Sequence, residues 1–300
     1  MKKTIAVAMG GYSSEAEISI RSGNVVYKHL SKNPNYEVYK ALILKGKWLV
    51  KTASGEDISI DRSNFSVEIN QKTIHFDCVF NTIHGTPGED GLFQAYLQTL
   101  NIPQTACDYY QAALTFNKRD CISVLKAHGI NTAENMYVNQ GDNVEPKQVV
   151  QKVGLPCFVK ANRAGSSYGI SKVKTEDEIL PALEHSFKED DEVIIESFLD
   201  GKEVSVGVIK INGEVKALPI TEIITENEFF DFEAKYYGKS QEITPANISA
   251  ESGRTVQDEA KKIFKVLKLK GLTRSEFIFY NAEPYLIECN TSPVLREASL

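Results

Sequence analysis

The chain has 300 residues, 42% of them apolar and 25% charged, and a formal net charge of −6. That length predicts two or three domains with sizeable cores. The acidic balance argues against a nucleic-acid binder working through a broad basic surface, and no apolar run approaches the roughly 18 residues of a membrane span.

Elements follow in chain order. Thr4–Met9 is a short apolar run ended by Gly10-Gly11 and reads as a buried strand, not as the core of a signal peptide. Ser14 to Leu30 has helical spacing of Ile18, Val25, Val26 and Leu30. Glu37–Leu44 and Phe76–Ile83 read as strands, and Gly91–Leu100 and Asp108–Phe116 as helices. Strands alternating with helices predict a parallel, doubly wound sheet over residues 1–112.

A second unit, 113–200, opens with a helix over Lys118–His128 and Gly129 as its C′ residue. Pro156–Lys160 reads as a strand, Ala161–Gly169 as a loop, Thr175-x-x-Glu178 as a capping box, and Glu192–Ser197 as another strand. The third unit, 201–300, begins with a hairpin across Asn212-Gly213, a pair suited to a type I′ turn. Asp231–Asn247 lacks periodicity and reads as a mobile loop. Ala250–Leu267 is an amphipathic helix, and Glu276–Tyr280 and Tyr285–Cys289 are two antiparallel strands.

The cysteines (78, 107, 121, 157 and 289) are odd in number, widely spaced and without C-x-x-C, which predicts reduced thiols in a cytoplasmic protein and no zinc knuckle. No H-x-x-x-H pair occurs, so a metal here is expected to be a hard ion held by oxygen. Neither G-x-G-x-x-G nor G-x-x-x-x-G-K-[ST] is present.

Several residues can carry chemistry. Directly opposed residues of an antiparallel pair share a face. A three-residue loop at Asn281–Glu283 would therefore pair Glu276 with Glu288 and, with Asn290, gather oxygen donors for Mg²⁺ or Mn²⁺. A two-residue loop would send the carboxylates to opposite faces, and a solvated hairpin edge is the plainer reading. Lys160 ends an apolar strand, where a lysine needs an anion. The glycines and serines after it, Ser166 and Ser167 among them, can turn backbone N–H groups and hydroxyls onto phosphate. Lys118 can reach the same phosphates. For each of these residues taken singly, a lysine snorkelling to water or a plain flexible loop is the favoured reading. Glu196, Phe198 and Leu199, with Glu203 beyond, can form an adenine pocket or a surface turn. Glu15 follows the first strand and can hold an ammonium group. His84, in His84-Gly85 with Gly88-Glu89-Asp90-Gly91, also lies at a strand's carboxyl end, where open α/β sheets bind ligands, although its glycines can be turn chemistry alone.

In order and spacing these motifs resemble the D-alanine–D-alanine ligases of the ATP-grasp superfamily. The resemblance extends through Arg163-x-Gly165-Ser166-Ser167-x-Gly169, Glu233-Ala234-Lys235-Tyr236, Arg274-x-Glu276 and Glu288-x-Asn290-Thr291-x-Pro293, and covers nearly the whole chain. It implies a mixed α/β, three-domain ATP-grasp fold and ATP-dependent joining of two D-alanines through an acyl phosphate, for peptidoglycan precursors. It assigns Lys118, Lys160, Ser167, Glu196, Glu203 and Lys235 to ATP, with Phe198 and Leu199 against adenine. Two Mg²⁺ or Mn²⁺ ions would lie on Glu276, Glu288 and Asn290. Glu15 and His84 would meet the first D-alanine. Ser166, Tyr236 and Glu15 would form a hydrogen-bonded set, Arg274 would face the transferring phosphoryl group, and Ser299 and Leu300 would meet the second D-alanine. A homodimer is expected from the family, with no nucleic-acid or membrane partner.

Three departures from the family pattern stand out. Glu276 replaces the usual Asp. Pro293-Val294-Leu295-Arg296 replaces Pro-Gly-Met-Thr, with strain expected at Val294 if a positive φ is required there. The sequence ends at Leu300, where relatives continue for a further helix, so a shortened or altered C-terminus is expected. The rival readings are a nucleotide-binding relative that no longer ligates and a ligase whose second substrate is a D-hydroxy acid.

Overall fold

The structure is a computed structural model that describes residues 2–52, 54–225 and 240–295. The chain forms two compact units. The first is built on the described part of residues 2–113, to which Leu269–Leu272 and residues 291–295 return. The second comprises Leu114–Lys268 and Thr273–Asn290.

The first unit centres on β1 (Lys3–Gly11), which pairs in parallel with β2 (Tyr36–Leu44) on one side and β7 (Cys78–Asn81) on the other. Side chains alternate along a strand, and β1 uses both faces. Val7 and Met9 pack with Val26 of α1 (Ala16–Leu30), whereas Ala6 and Ala8 join Phe93 and Leu97 of α2 (Leu92–Thr99). The expected doubly wound core is therefore present, but only β2, β1 and β7 run parallel. Beyond β2 the sheet continues as an antiparallel meander of β3 (Lys47–Lys51), β4 (Asp57–Asp61), β5 (Ser66–Ile69) and β6 (Lys72–His75), giving seven strands in the order β6-β5-β4-β3-β2-β1-β7. Trp48, Phe65 and Phe93 pack edge-to-face and bind this extension to α2. A third helix, α3 (Tyr109–Phe116), leads out of the unit.

The second unit holds two sheets. In the first, β8 (Asn135–Asn139), β9 (Cys157–Ala161), β10 (Ile170–Val173) and β11 (Glu192–Ser197) form an antiparallel set in the order β10-β9-β11-β8. Val138, Val159, Val193 and Ile195 of this sheet pack on α5 (Pro146–Val153) and α6 (Ile179–Ser186). The capping box at Thr175 and Glu178 forms as expected, opening a short 3₁₀ turn before α6. Helix α4 (Lys118–Ala127) starts at Asn117, whose side chain accepts from the Asp120 N–H.

The other sheet has the order β14-β13-β12-β15-β16, from β12 (Lys202–Ile211), β13 (Glu214–Thr225), β14 (Ser240–Ile243), β15 (Leu272–Tyr280) and β16 (Glu283–Asn290). It packs on α7 (Ala250–Val266) through Val256, Ala260, Ile263 and Phe264. Asn212 and Gly213 have φ of 51° and 87°, the two positive values a type I′ turn requires. The loop expected over Asp231–Asn247 is ordered strand at 240–243, paired with Glu222–Thr225; residues 231–239 lie outside the described residues. All five cysteines are free thiols. Among the described residues, no helix is long and apolar enough to cross a membrane.

Candidate active site

The site in the second unit begins with strand alternation. Cys157, Val159 and Ala161 of β9 are buried, which turns Phe158 and Lys160 to the opposite face. Lys160 pairs in register with Ile194, and Phe158 with Glu196, so these side chains share that face. There the Lys160 ammonium lies 2.7 Å from the Glu196 carboxylate, with side chains 12% and 5% exposed. The anion that a buried lysine requires is thus Glu196 in this structure. Burial alone would lower the Lys160 pKa. The Glu196 carboxylate, with Glu288 and Glu203 behind it, outweighs burial and holds it above the ordinary value, so the lysine stays charged.

The register of β15 and β16 differs from the sequence expectation in its means. The turn is the two-residue Asn281-Ala282, both at positive φ, and Tyr280 pairs with Glu283. By itself that turn would separate the carboxylates. A β-bulge leaves Ile287 unmatched: Phe277 pairs with Leu286, and the next rung pairs Glu276 with Glu288. Burial along β16 changes phase accordingly, from Pro284 and Leu286 to Cys289. Arg274 pairs with Asn290 two rungs away, on the same face as Glu276 and Glu288. The Arg274 guanidinium lies 2.6 Å from Glu276, and Asn290 Nδ2 donates to Glu288 Oε1 at 2.9 Å. Among the described residues no three His, Cys, Asp or Glu side chains gather at one point; the donors here are two carboxylates and one amide.

Lys160, Glu196, Glu276 and Glu288 line a cavity of about 430 Å³, whereas Arg274 and Asn290 are not in its wall. Its wall includes Lys118, Lys160, Ser167, Glu196, Phe198, Leu199, Glu203, Glu276 and Glu288, which is most of the nucleotide and metal set named from the sequence. Gly201 lets the chain pass close to the next strand, since a Cβ there would overlap the Phe279 carbonyl. Lys118 Nζ donates to the carbonyls of Ala164 at 2.5 Å and Asn162 at 3.4 Å. Ser166 lies in the same turn as Ser167, with φ of 51° and 62°.

The structure adds wall residues that the sequence reading missed. Phe158 lies 6.1 Å from Phe198 ring to ring. Lys172, which is not in the wall, sits 4.2 Å over Phe198. Phe158 is two residues before Lys160 on one strand, so period-2 reasoning would have found it. Lys202 and Glu222 form a second ion pair at 2.7 Å, and Glu222 also accepts from the Asn247 N–H at 3.0 Å. Only the strand register brings those two together, so no local sequence signal marks them.

In the first unit, Glu15 and His84 are 4% and 2% exposed and lie near the carboxyl ends of β1 and β7. His84 Nε2 is 3.2 Å from Ser22 Oγ. Gly85 has φ of 66°, and a Cβ there would crowd Ser13 Oγ and the Glu15 carboxylate. Glu89 Oε2 accepts from the Gly85 N–H at 2.7 Å, and Thr86 Oγ1 donates to Asp90. Turn chemistry thus accounts for Glu89 and Asp90, whereas Glu15 and His84 converge on one buried patch. Val294 is not among the described residues of positive φ, so the conditional strain does not arise there. Lys235, Tyr236, Ser299 and Leu300 lie outside the described residues.

Comparison with known proteins identifies the family and the fold. Residues 4–107 match the family described as D-ala D-ala ligase N-terminus, and residues 124–300 match D-ala D-ala ligase C-terminus. A D-alanine–D-alanine ligase of Christiangramia forsetii is 64% identical over the whole chain and 92% of its own length. D-alanyl-alanine synthetase A from Vibrio cholerae superposes with a TM-score of 0.86 at 30% identity, over 98% of this chain and 90% of that one. The D-alanine–D-alanine ligase of Bacillus anthracis complexed with ATP does so with a TM-score of 0.77 at 28% identity, over 100% and 89%. Fold and cavity together define an ATP-grasp enzyme, an ADP-forming ligase. The chain belongs to the D-alanine–D-alanine ligase family.

Proposed function

We propose that this protein binds ATP in the cavity of the second unit and uses it to join two D-alanines into the dipeptide required for peptidoglycan precursors. The observation that carries this reading is the convergence of Lys160–Glu196 and Glu276–Glu288 on one cavity. A carboxylate is a poor acyl donor. Attack of the first D-alanine's carboxylate oxygen on the γ-phosphorus, with ADP departing, converts it to an acyl phosphate. The free amine of the second D-alanine then attacks the acyl carbon, and phosphate leaves.

The residues divide this work. Lys118, Lys160 and Ser167 offer donors to phosphate oxygens, and Lys160 retains two N–H donors beyond the one it gives Glu196. Phe198 and Leu199 supply apolar faces for the base, and Glu196 and Glu203 supply acceptors. Glu276, Glu288 and Asn290 form an all-oxygen donor set that fits two Mg²⁺ or Mn²⁺ ions, which would offset charge on the phosphates. Arg274, paired with Glu276, would meet the moving phosphoryl group, a role that rests on the family resemblance. In the first unit Glu15 meets the ammonium of the first D-alanine, with His84 beside its carboxylate. Residues 113–200 and 201–300 are read as the two lobes of the grasp. The reading includes a cytoplasmic homodimer.

Steady-state phosphate release tests the assignment. Lys160→Ala and Glu288→Ala are expected to abolish D-alanine-dependent release while keeping the fold. Near-normal turnover in Glu288→Ala would refute the metal assignment.

A further inference from the structure

We propose that Arg163 and Asp190 form a positioning clamp that holds the Gly165–Tyr168 turn in the shape needed to receive the nucleotide's phosphates, an inference that rests on reading Ala164–Gly169 as the phosphate loop. The turn is closed by the Tyr168 N–H donating to the Gly165 carbonyl at 3.0 Å. Its two central residues, Ser166 and Ser167, both have positive φ, 51° and 62°. Two positive φ values at the centre of a β-turn suit Gly, Asn or Asp and are costly for serine. Such strain persists only where the surroundings over-determine it.

Both stems of the turn supply that constraint. On the entering side, the Arg163 backbone N–H donates to Asp190 Oδ2 at 2.6 Å. Its Nε donates to the same oxygen at 3.0 Å, and one terminal nitrogen reaches Asp190 Oδ1 and Asp191 Oδ1, each at 2.6 Å. This is a planar fork on a carboxylate, the geometry in which arginine differs from lysine. The Asp190 side chain is only 5% exposed, and its Oδ1 also accepts from the Glu192 N–H at 3.3 Å. On the leaving side, the fully buried Ser186 donates to the Gly169 carbonyl at 2.7 Å. An ordinary surface ion pair contributes little. Here one buried carboxylate binds both the backbone and the side chain of the residue that enters the strained turn.

Asp190 is not part of the cavity wall, whereas Ser167 is. The clamp therefore acts through the turn and not on the ligand. Loss of the fork frees the turn to relax, and only the fraction still correctly shaped binds ATP.

The test uses the full chain with Arg163→Met, Asp190→Asn, Arg163→Lys and the Met/Asn double variant. Kinetics with ATP varied at saturating D-alanine are paired with hydrogen exchange over residues 164–169. If the competent fraction falls to about a tenth, the KM for ATP rises about tenfold. We expect that rise with kcat changed less than about twofold, faster exchange in the turn, little recovery in Arg163→Lys, and a double variant no worse than the poorer single one. Because Arg163 is 42% exposed, its variant carries the test if Asp190→Asn does not fold. An unchanged KM for ATP with unchanged exchange overturns the clamp. A wild-type protein that fails to use ATP refutes the nucleotide reading instead, and the exchange data alone then decide the clamp.

Discussion

At the scale of single residues the account rests on charges removed from water in pairs. Glu196 and Lys160 are both nearly buried, and deleting one partner leaves the other uncompensated, at a cost of about 3–5 kcal/mol. Glu196→Ala should therefore lower unfolding stability by that order in urea, and a loss below about 1 kcal/mol would show that the pair is wetter than its geometry implies. Cys121 marks the opposite case. Burial pushes its thiol up to about 12, so it should resist alkylation at pH 8 in the native protein, and Cys121→Ala should leave turnover near wild type. Glu222 sets a pH signature. Its hydrogen bond from Lys202 lowers the carboxyl pKa, with the Asn247 N–H assisting, against burial; the net position is below the ordinary 4.5. A depressed pKa stabilises the fold above about pH 4.5 and ceases to do so as pH falls through the folded-state value. The stability gap between wild type and Glu222→Gln should accordingly narrow as pH falls below about 4.5, and a gap that stays constant down to the acid limit of folding would contradict this.

At the scale of elements, caps and register place the chemistry. Asn117 caps α4 one residue before Lys118 and also accepts from Asn162 Nδ2 at 3.0 Å. Asn117→Ala should cost about 1 kcal/mol in a thermal or urea melt and raise the KM for ATP through a displaced Lys118; loss of stability without a KM change would separate the two roles. The capping box at Thr175 and the Asn212-Gly213 turn were legible, because each follows from residue types a few positions apart, and the pairing of Glu276 with Glu288 was one of two alternatives the sequence left open. The route to that pairing was not legible. The sequence argument needed a three-residue loop, whereas the chain uses a two-residue turn and then a bulge at Ile287, a correction no local pattern announces. Strands β3 to β6 were missed for a related reason. They are four or five residues long, with outward faces in water, so their short alternation is broken by turns before a period is established. Lys202–Glu222 and Arg163–Asp190 were invisible because tertiary pairing alone joins them.

At the scale of the whole molecule, two units carry separate parts of the reading: a buried carboxylate and a buried histidine in one, and a cavity lined by cations, aromatics and carboxylates in the other. The motifs named along the chain belong to a family the comparisons establish. The departures at Glu276 and Val294 are compatible with the fold, since Glu276 still opposes Glu288 and Val294 adopts no positive φ. The most direct measurement is phosphate release from ATP and Mg²⁺ with D-alanine as the only amino acid, coupled to mass detection of the product. The account predicts one D-alanyl-D-alanine formed per phosphate released, and no release without D-alanine. ATP binding with no dipeptide, or release that requires a D-hydroxy acid, would contradict it.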